Sequence, residues 1–250
     1  MKRTTVDVKE ASAPGLNGRR NFLKMSGLAL AGTGLLLVGC NNDDDSTPDS
    51  SQVPGVKNGK FDLGGGDLGI LSYAYALEQL EADFYTKVVN SNTFGSTFNS
   101  EEQQVLTDLY NHEVIHREFF RTALTGALAN TGGTLLPDLA FSYASVNFNS
   151  RASVLATAQA LEDTGVSAYN GAGRYLENPT YLLLAGKIVS VEARHASAIR
   201  SLISPGTASF AGNDIVDANG LDAAKKPSVV IPAVVALDFI QTDFTANYLP

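Results

Sequence analysis

The chain has 250 residues, 44% of them apolar and 18% charged, with a formal net charge of -8. That is enough chain and apolar content for one sizeable globular domain, and it excludes a wholly disordered protein. Residues 1–39 hold six Lys/Arg and two acids, which leaves 12 basic against 24 acidic side chains in the rest, a net of -12, and so argues against nucleic acid or anionic lipid as a partner.

In chain order, the first segment reads as an address. Arg19-Arg20-Asn21-Phe22-Leu23-Lys24 precedes a Gly-rich, weakly apolar run from about Met25 to Val38, the length of a signal-peptide core and short for a bilayer span. The paired arginines followed by Phe-Leu-Lys resemble a twin-arginine export signal, and Leu37-Val38-Gly39-Cys40 resembles a lipobox. The resemblance implies cleavage after residue 39, a lipid on Cys40 and attachment to a membrane of the bacterial cell envelope, facing the periplasm or the outside. Cys40 is the single cysteine, so no intrachain disulfide can form. Residues 40–66 are expected to form a flexible tether, since Asn41 to Gly59 is polar, acidic and poor in apolar residues.

From about Asp67 the pattern turns helical. Leu71, Ala74, Leu77, Glu78, Glu81, Phe84, Tyr85 and Val88 recur at three- and four-residue steps, and two positions on that face are acidic. Residues 90–100 read as a loop. Ser100 with Gln103 three residues on reads as the capped start of a second helix that runs to about Ala129. After a long connection containing Pro137, Ser150 is expected to cap a third helix reaching about Tyr175. Asn178-Pro179-Thr180 breaks the chain before a fourth, from about Tyr181 to Ser204, stopped by Pro205-Gly206. The tail, residues 205–250, is loop-rich, with one short apolar helix expected within Val229–Ile240. Short, long and short connections between four helices describe an all-α four-helix bundle with one long crossover, residues 67–204, with the tail packed on it.

Chemistry enters through a repeated pattern. Glu113-Val114-Ile115-His116 lies in the second helix and Glu192-Ala193-Arg194-His195 in the fourth. Three residues apart, Glu and His share a helix face with Cβ atoms about 5–6 Å apart, close enough to serve one metal centre. The first and third helices share Ala-Leu-Glu, ending at Glu78 and Glu162, each followed seven residues later by a tyrosine, Tyr85 and Tyr169. Seven residues is two turns less about 20°, so each tyrosine lies on the face of its glutamate. Glu81 shares that inward face and is the alternative to Glu78, but its counterpart in the second half is Gly165. Asp163, about 100° from Glu162 around the helix, is expected to be solvated. His112 is open between an exposed residue, a third ligand and a group behind the ligands. Arg194 is open between surface and carboxylate pairing.

One Glu from each of two helices with Glu-x-x-His from each of the other two resembles the ferritin-like di-iron or di-manganese carboxylate proteins. Within them the chain looks most like the exported ferritin-like proteins called desiccation-associated. The resemblance covers about residues 67–204 and implies two iron or two manganese ions as cofactor. Glu78, Glu113, His116, Glu162, Glu192 and His195 match the ligand positions: Glu113 and Glu192 bridge the ions, Glu78 and Glu162 bind one each. Tyr85 and Tyr169 match positions that hydrogen-bond to ligand carboxylates. It further implies redox chemistry with a small oxidant as substrate, dioxygen or hydrogen peroxide, of ferroxidase, peroxidase or catalase type. The alternative is a non-catalytic envelope stress protein whose metals only staple the bundle. A homodimer stays open.

Overall fold

The computed structural model describes residues 52–250. The export signal expected at 1–39, Cys40 with its expected lipid and the first part of the expected tether lie outside the described residues. Among the described residues, no helix is long and apolar enough to cross a membrane.

The tether is expected to run through residue 66, but the structure orders its last part. Strands β1 (Gly55–Lys57) and β2 (Lys60–Asp62) form an antiparallel hairpin. The cause is local: Asn58 and Gly59 both adopt positive φ, 52° and 80°, the two-residue turn that matches strand twist. β2 then pairs in parallel with β3 (Phe244–Thr245) near the end of the chain. The junction is fixed by the buried Asp62. Its carboxylate accepts hydrogen bonds from Gly64 N (2.9 Å), Thr245 Oγ1 (2.6 Å) and Asn247 Nδ2 (2.9 Å), with Lys57 Nζ at 3.7 Å.

Four long helices follow, α1 (Gly66–Val89), α3 (Ser100–Leu128), α4 (Arg151–Gly173) and α5 (Pro179–Ile203), with a single turn, α2 (Phe94–Thr97), in the stretch read as a loop. α1 packs along α3 and α4 along α5, and the two pairs meet chiefly through α1 against α4 and α3 against α5. The expected bundle with one long crossover is therefore present.

Caps set the boundaries. The capping box of α3 begins one residue earlier than expected: Asn99 Oδ1 accepts from Glu101 N and Glu102 N, and Glu102 Oε2 accepts from Asn99 N, all at 3.0 Å. Ser150 caps α4 as expected. Asn178 caps α5, with Pro179 at its first position, where its missing N–H costs nothing.

α1 is buried around almost its whole circumference, every residue from Gly69 to Ala82 included. Its companions are amphipathic: on α3 the buried residues Leu106, Leu109, Glu113, His116, Phe120 and Leu124 form one stripe. α1 needs more cover because the crossover lies on it. Gln79 Oε1 accepts from Leu139 N (2.8 Å), Gln79 Nε2 donates to Pro137 O (3.3 Å), and Tyr143 OH donates to Leu80 O (3.3 Å). The helix, whose inner face the periodicity marked, thus has packing on its back as well.

The tail packs on the bundle through a 3-10 turn (Ala208–Ala211) against α5 and through α6 (Pro227–Val235) against α4. Lys225 N donates to Ser167 O at 2.8 Å, and the carbonyl of Lys225 passes so close to Gly171 that a Cβ there would overlap it. Asp163, expected to be solvated, is instead held by Arg200 through two bonds of 2.7 and 2.9 Å. Arg200 also reaches Asp214 at 2.8 Å, so one buried guanidinium joins α4, α5 and the tail.

Candidate metal centre

Helix register carries the chemistry-bearing residues to one depth of the bundle. Glu78 on α1, Glu113 and His116 on α3, Glu162 on α4 and Glu192 and His195 on α5 are all buried, the four glutamates completely. They fall into two overlapping groups, Glu78, Glu113, His116 and Glu192, and Glu113, Glu162, Glu192 and His195. In each group one ligand atom per residue lies within 4.8 Å of all the others, so each group could hold a metal ion. Glu113 and Glu192 belong to both.

Distances fill in the arrangement. His116 Nδ1 lies 2.9 Å from Glu192 Oε1 and 3.4 Å from both Glu78 Oε2 and Glu113 Oε2. His195 Nδ1 lies 2.7 Å from Glu113 Oε1, 3.4 Å from Glu162 Oε2 and 3.9 Å from Glu192 Oε2. The atoms are near one another but not aimed at one another. Both oxygens of Glu113 and of Glu192, Oε2 of Glu78 and of Glu162, and Nδ1 of both histidines all lack a partner with hydrogen-bond geometry. Buried polar atoms are otherwise satisfied at a rate of roughly 90% or more. Buried donor atoms that lie within reach of one another and are not bonded to each other are what a cation needs.

The remaining oxygens of Glu78 and Glu162 are occupied. Tyr85 OH donates to Glu162 Oε1 at 2.6 Å, and Tyr169 OH donates to Glu78 Oε1. Each tyrosine serves the glutamate of the opposite half of the repeat, a crossing that spacing along one helix does not reveal. The result is a sorting of carboxylates. Glu78 and Glu162 each present one free oxygen, Glu113 and Glu192 two.

Electrostatics follows from burial. Desolvation pushes Glu78 up to about 7 and Glu162 upward, while the nearby imidazoles pull both the other way. Glu192 rises well above the usual carboxylate range through burial and the adjacent Glu113. For Glu113 burial acts upward too, but His116 and His195 outweigh it and hold it low. Burial opposes charging of the two histidines, yet the carboxylates around them win and raise both well above the ordinary value. Burial keeps Tyr85 and Tyr169 protonated as donors.

Glu81, the alternative to Glu78, is buried beside the cluster but belongs to neither group. Its carboxyl is raised by burial first and then by Glu192, Glu113, Glu162 and Glu78. Gly165 makes room for it: a Cβ at that position would lie 3.0 Å from Glu81 Oε1. Arg194 is exposed. His112 is half-buried, and its Nδ1 lies 2.9 Å from Nε2 of His195. The available signal for His112 was its i,i+4 relation to His116, which put it on the core side of α3.

The sequence profile of the Ferritin-like domain family matches residues 66–205. The chain belongs to that family. Its match covers the four long helices and every residue of both groups. No curated protein matches the chain by sequence.

Proposed function

We propose that this ferritin-like protein holds two iron or two manganese ions and is redox-active towards dioxygen or hydrogen peroxide, in the manner of a ferroxidase, a peroxidase or a catalase. The observation that carries this reading is the pair of groups sharing Glu113 and Glu192, whose inward atoms lack hydrogen-bond partners. Glu78 and His116 would complete one position, Glu162 and His195 the other, with Glu113 and Glu192 common to both. Carboxylate and imidazole donors without sulfur suit iron or manganese, and four carboxylates balance two divalent cations. Such ions would supply electrons to a small oxidant.

The chain's own contributions are positional. Tyr85 and Tyr169 pin one oxygen each of Glu162 and Glu78, so the free oxygen of each is directed inward. Complete burial of the four glutamates limits water in the site. The protein is exported and tethered to a membrane of the cell envelope through a lipid on Cys40, serving in oxidant or desiccation stress. Support comes from the order of paired arginines, apolar run, small residue and cysteine.

The test is anaerobic loading of metal-free protein with ferrous ion or manganese(II), then addition of hydrogen peroxide or dioxygen. Consumption by the loaded protein, abolished by Glu113→Ala with Glu192→Ala, is expected. A fully loaded protein inert to both oxidants would overturn the redox reading and leave the metals as a staple of the fold. Cys40→Ala is expected to move the protein from the membrane to the soluble fraction.

A further inference from the structure

We propose that His112 makes the two ion positions unequal, by fixing the His195 ring so that Nδ1 faces the carboxylates and the His195 position binds its ion more tightly. The inference rests on the two-ion reading above. His195 turns Nδ1 towards Glu113, Glu162 and Glu192, and its Nε2 towards His112 Nδ1 at 2.9 Å. The two rings are within 11° of parallel with centroids 5.1 Å apart. With the nitrogens so close, that separation fits rings joined edge to edge by one N–H···N bond, not a face-to-face stack.

An imidazole has one donor and one acceptor nitrogen when neutral, so the group that accepts from one nitrogen decides which lone pair is free. His112 Nδ1, as acceptor, places the proton of His195 on Nε2 and frees Nδ1 for the ion. It also increases the basicity of the ligand, as partners of metal-bound histidines generally do.

Nothing equivalent serves His116. Among the described residues, its other ring nitrogen makes no hydrogen bond, and the position in α5 that corresponds to His112 in the repeat is Val191. The repeat is therefore symmetric in its six ligands and asymmetric behind them. Loss of such a partner typically weakens metal affinity by about 10–100-fold.

Cobalt(II) is the probe, titrated into metal-free full-length protein and followed by visible absorbance and calorimetry. Wild type is expected to bind two cobalt ions in two unequal steps. His112→Ala should weaken the tighter step by about 10–100-fold and leave the other unchanged, so that the steps merge. His112→Asn, whose Oδ1 can accept in place of Nδ1, should restore two steps. Metal-free variants should still unfold in one cooperative transition, with His112→Ala losing no more than the cost of one missing buried hydrogen bond, which separates lost affinity from lost fold. In zinc-loaded wild type, proton–nitrogen NMR should show a slowly exchanging Nε2–H on His195 and none on His116, a readout that needs no variant. Two equal steps in wild type, unequal steps that persist in His112→Ala, an Asn variant no better than Ala, or a fast-exchanging His195 proton would each overturn the inference while the two-ion reading stood. Fewer than two bound cobalt ions would overturn both.

Discussion

Glu192→Gln separates a metal ligand from an ordinary buried acid. Glu192 is completely buried, neither of its oxygens has an aligned hydrogen-bond partner, and burial together with Glu113 raises its carboxyl well above the usual range. Both effects favour its neutral form in metal-free protein, and a glutamine reproduces the size and the lack of charge of that form. The metal-free variant is expected to match wild-type stability to within about 1 kcal/mol, the scale of one hydrogen bond. Metal reverses the comparison. Each ion at a free concentration 100 times its Kd adds about 2.7 kcal/mol, so two add about 5 kcal/mol. At roughly 2–4 °C per kcal/mol for a domain of this size, wild type should gain about 10–20 °C in Tm. A neutral amide cannot serve both groups as a carboxylate can, so the variant should gain less than half of that. The assay is thermal unfolding by circular dichroism, with manganese(II) or after chelation. A metal-free variant several kcal/mol less stable than wild type would refute the reasoning, because Glu192 would then be a structural ion pair for His116. An undiminished metal-dependent gain in Tm would refute it equally.

Three further outcomes follow from the packing. Tyr85→Phe and Tyr169→Phe each strip a buried carboxylate oxygen of its donor, and each should cost about 1–3 kcal/mol in denaturant unfolding; no loss in either would contradict the crossed pairing. Gly171→Ala drives a methyl group into the Lys225 carbonyl, which should cost about 1–3 kcal/mol and speed proteolysis within residues 205–250; an unchanged digestion pattern would contradict the close passage. Burial works to raise the Asp62 carboxyl, but Thr245, Gly64, Asn247 and Lys57 outweigh it and hold it below its ordinary value of 3.8. Because the folded pKa is depressed, that stabilisation is fully present above the unfolded value, near 3.8, and is lost as pH falls through the folded one. Asp62→Asn should therefore destabilise at pH 7 and converge with wild type in acid, as unfolding across that range would show.

Much of the candidate site was legible because a helix converts spacing into direction. Glu113 with His116, and Glu192 with His195, needed only the three-residue step to share a face, and duplication singled them out from chance pairs. The same rule placed Tyr85 and Tyr169 inward but could not say whose carboxylate each would meet, since that depends on how α1 and α4 pack. His112 stayed ambiguous for a related reason: its partner, His195, lies on another helix, 83 residues away. Asp163 was misread because its angle from Glu162 was measured on one helix alone, whereas Arg200 of α5 and Asp214 of the tail supply its surroundings. The hairpin at 55–62 was hidden by composition. Its polar residues resemble those of a tether, but Asn58-Gly59 is a turn signal, and the partner that completes the sheet lies near the end of the chain.

The most direct test of the account is a crystal structure of manganese- or iron-loaded protein with anomalous difference density collected at the metal edge. Two peaks are expected inside the bundle, one against Glu78 and His116, the other against Glu162 and His195, with Glu113 and Glu192 touching both. A single peak, a peak outside these six residues, or no peak in fully loaded crystals would contradict it.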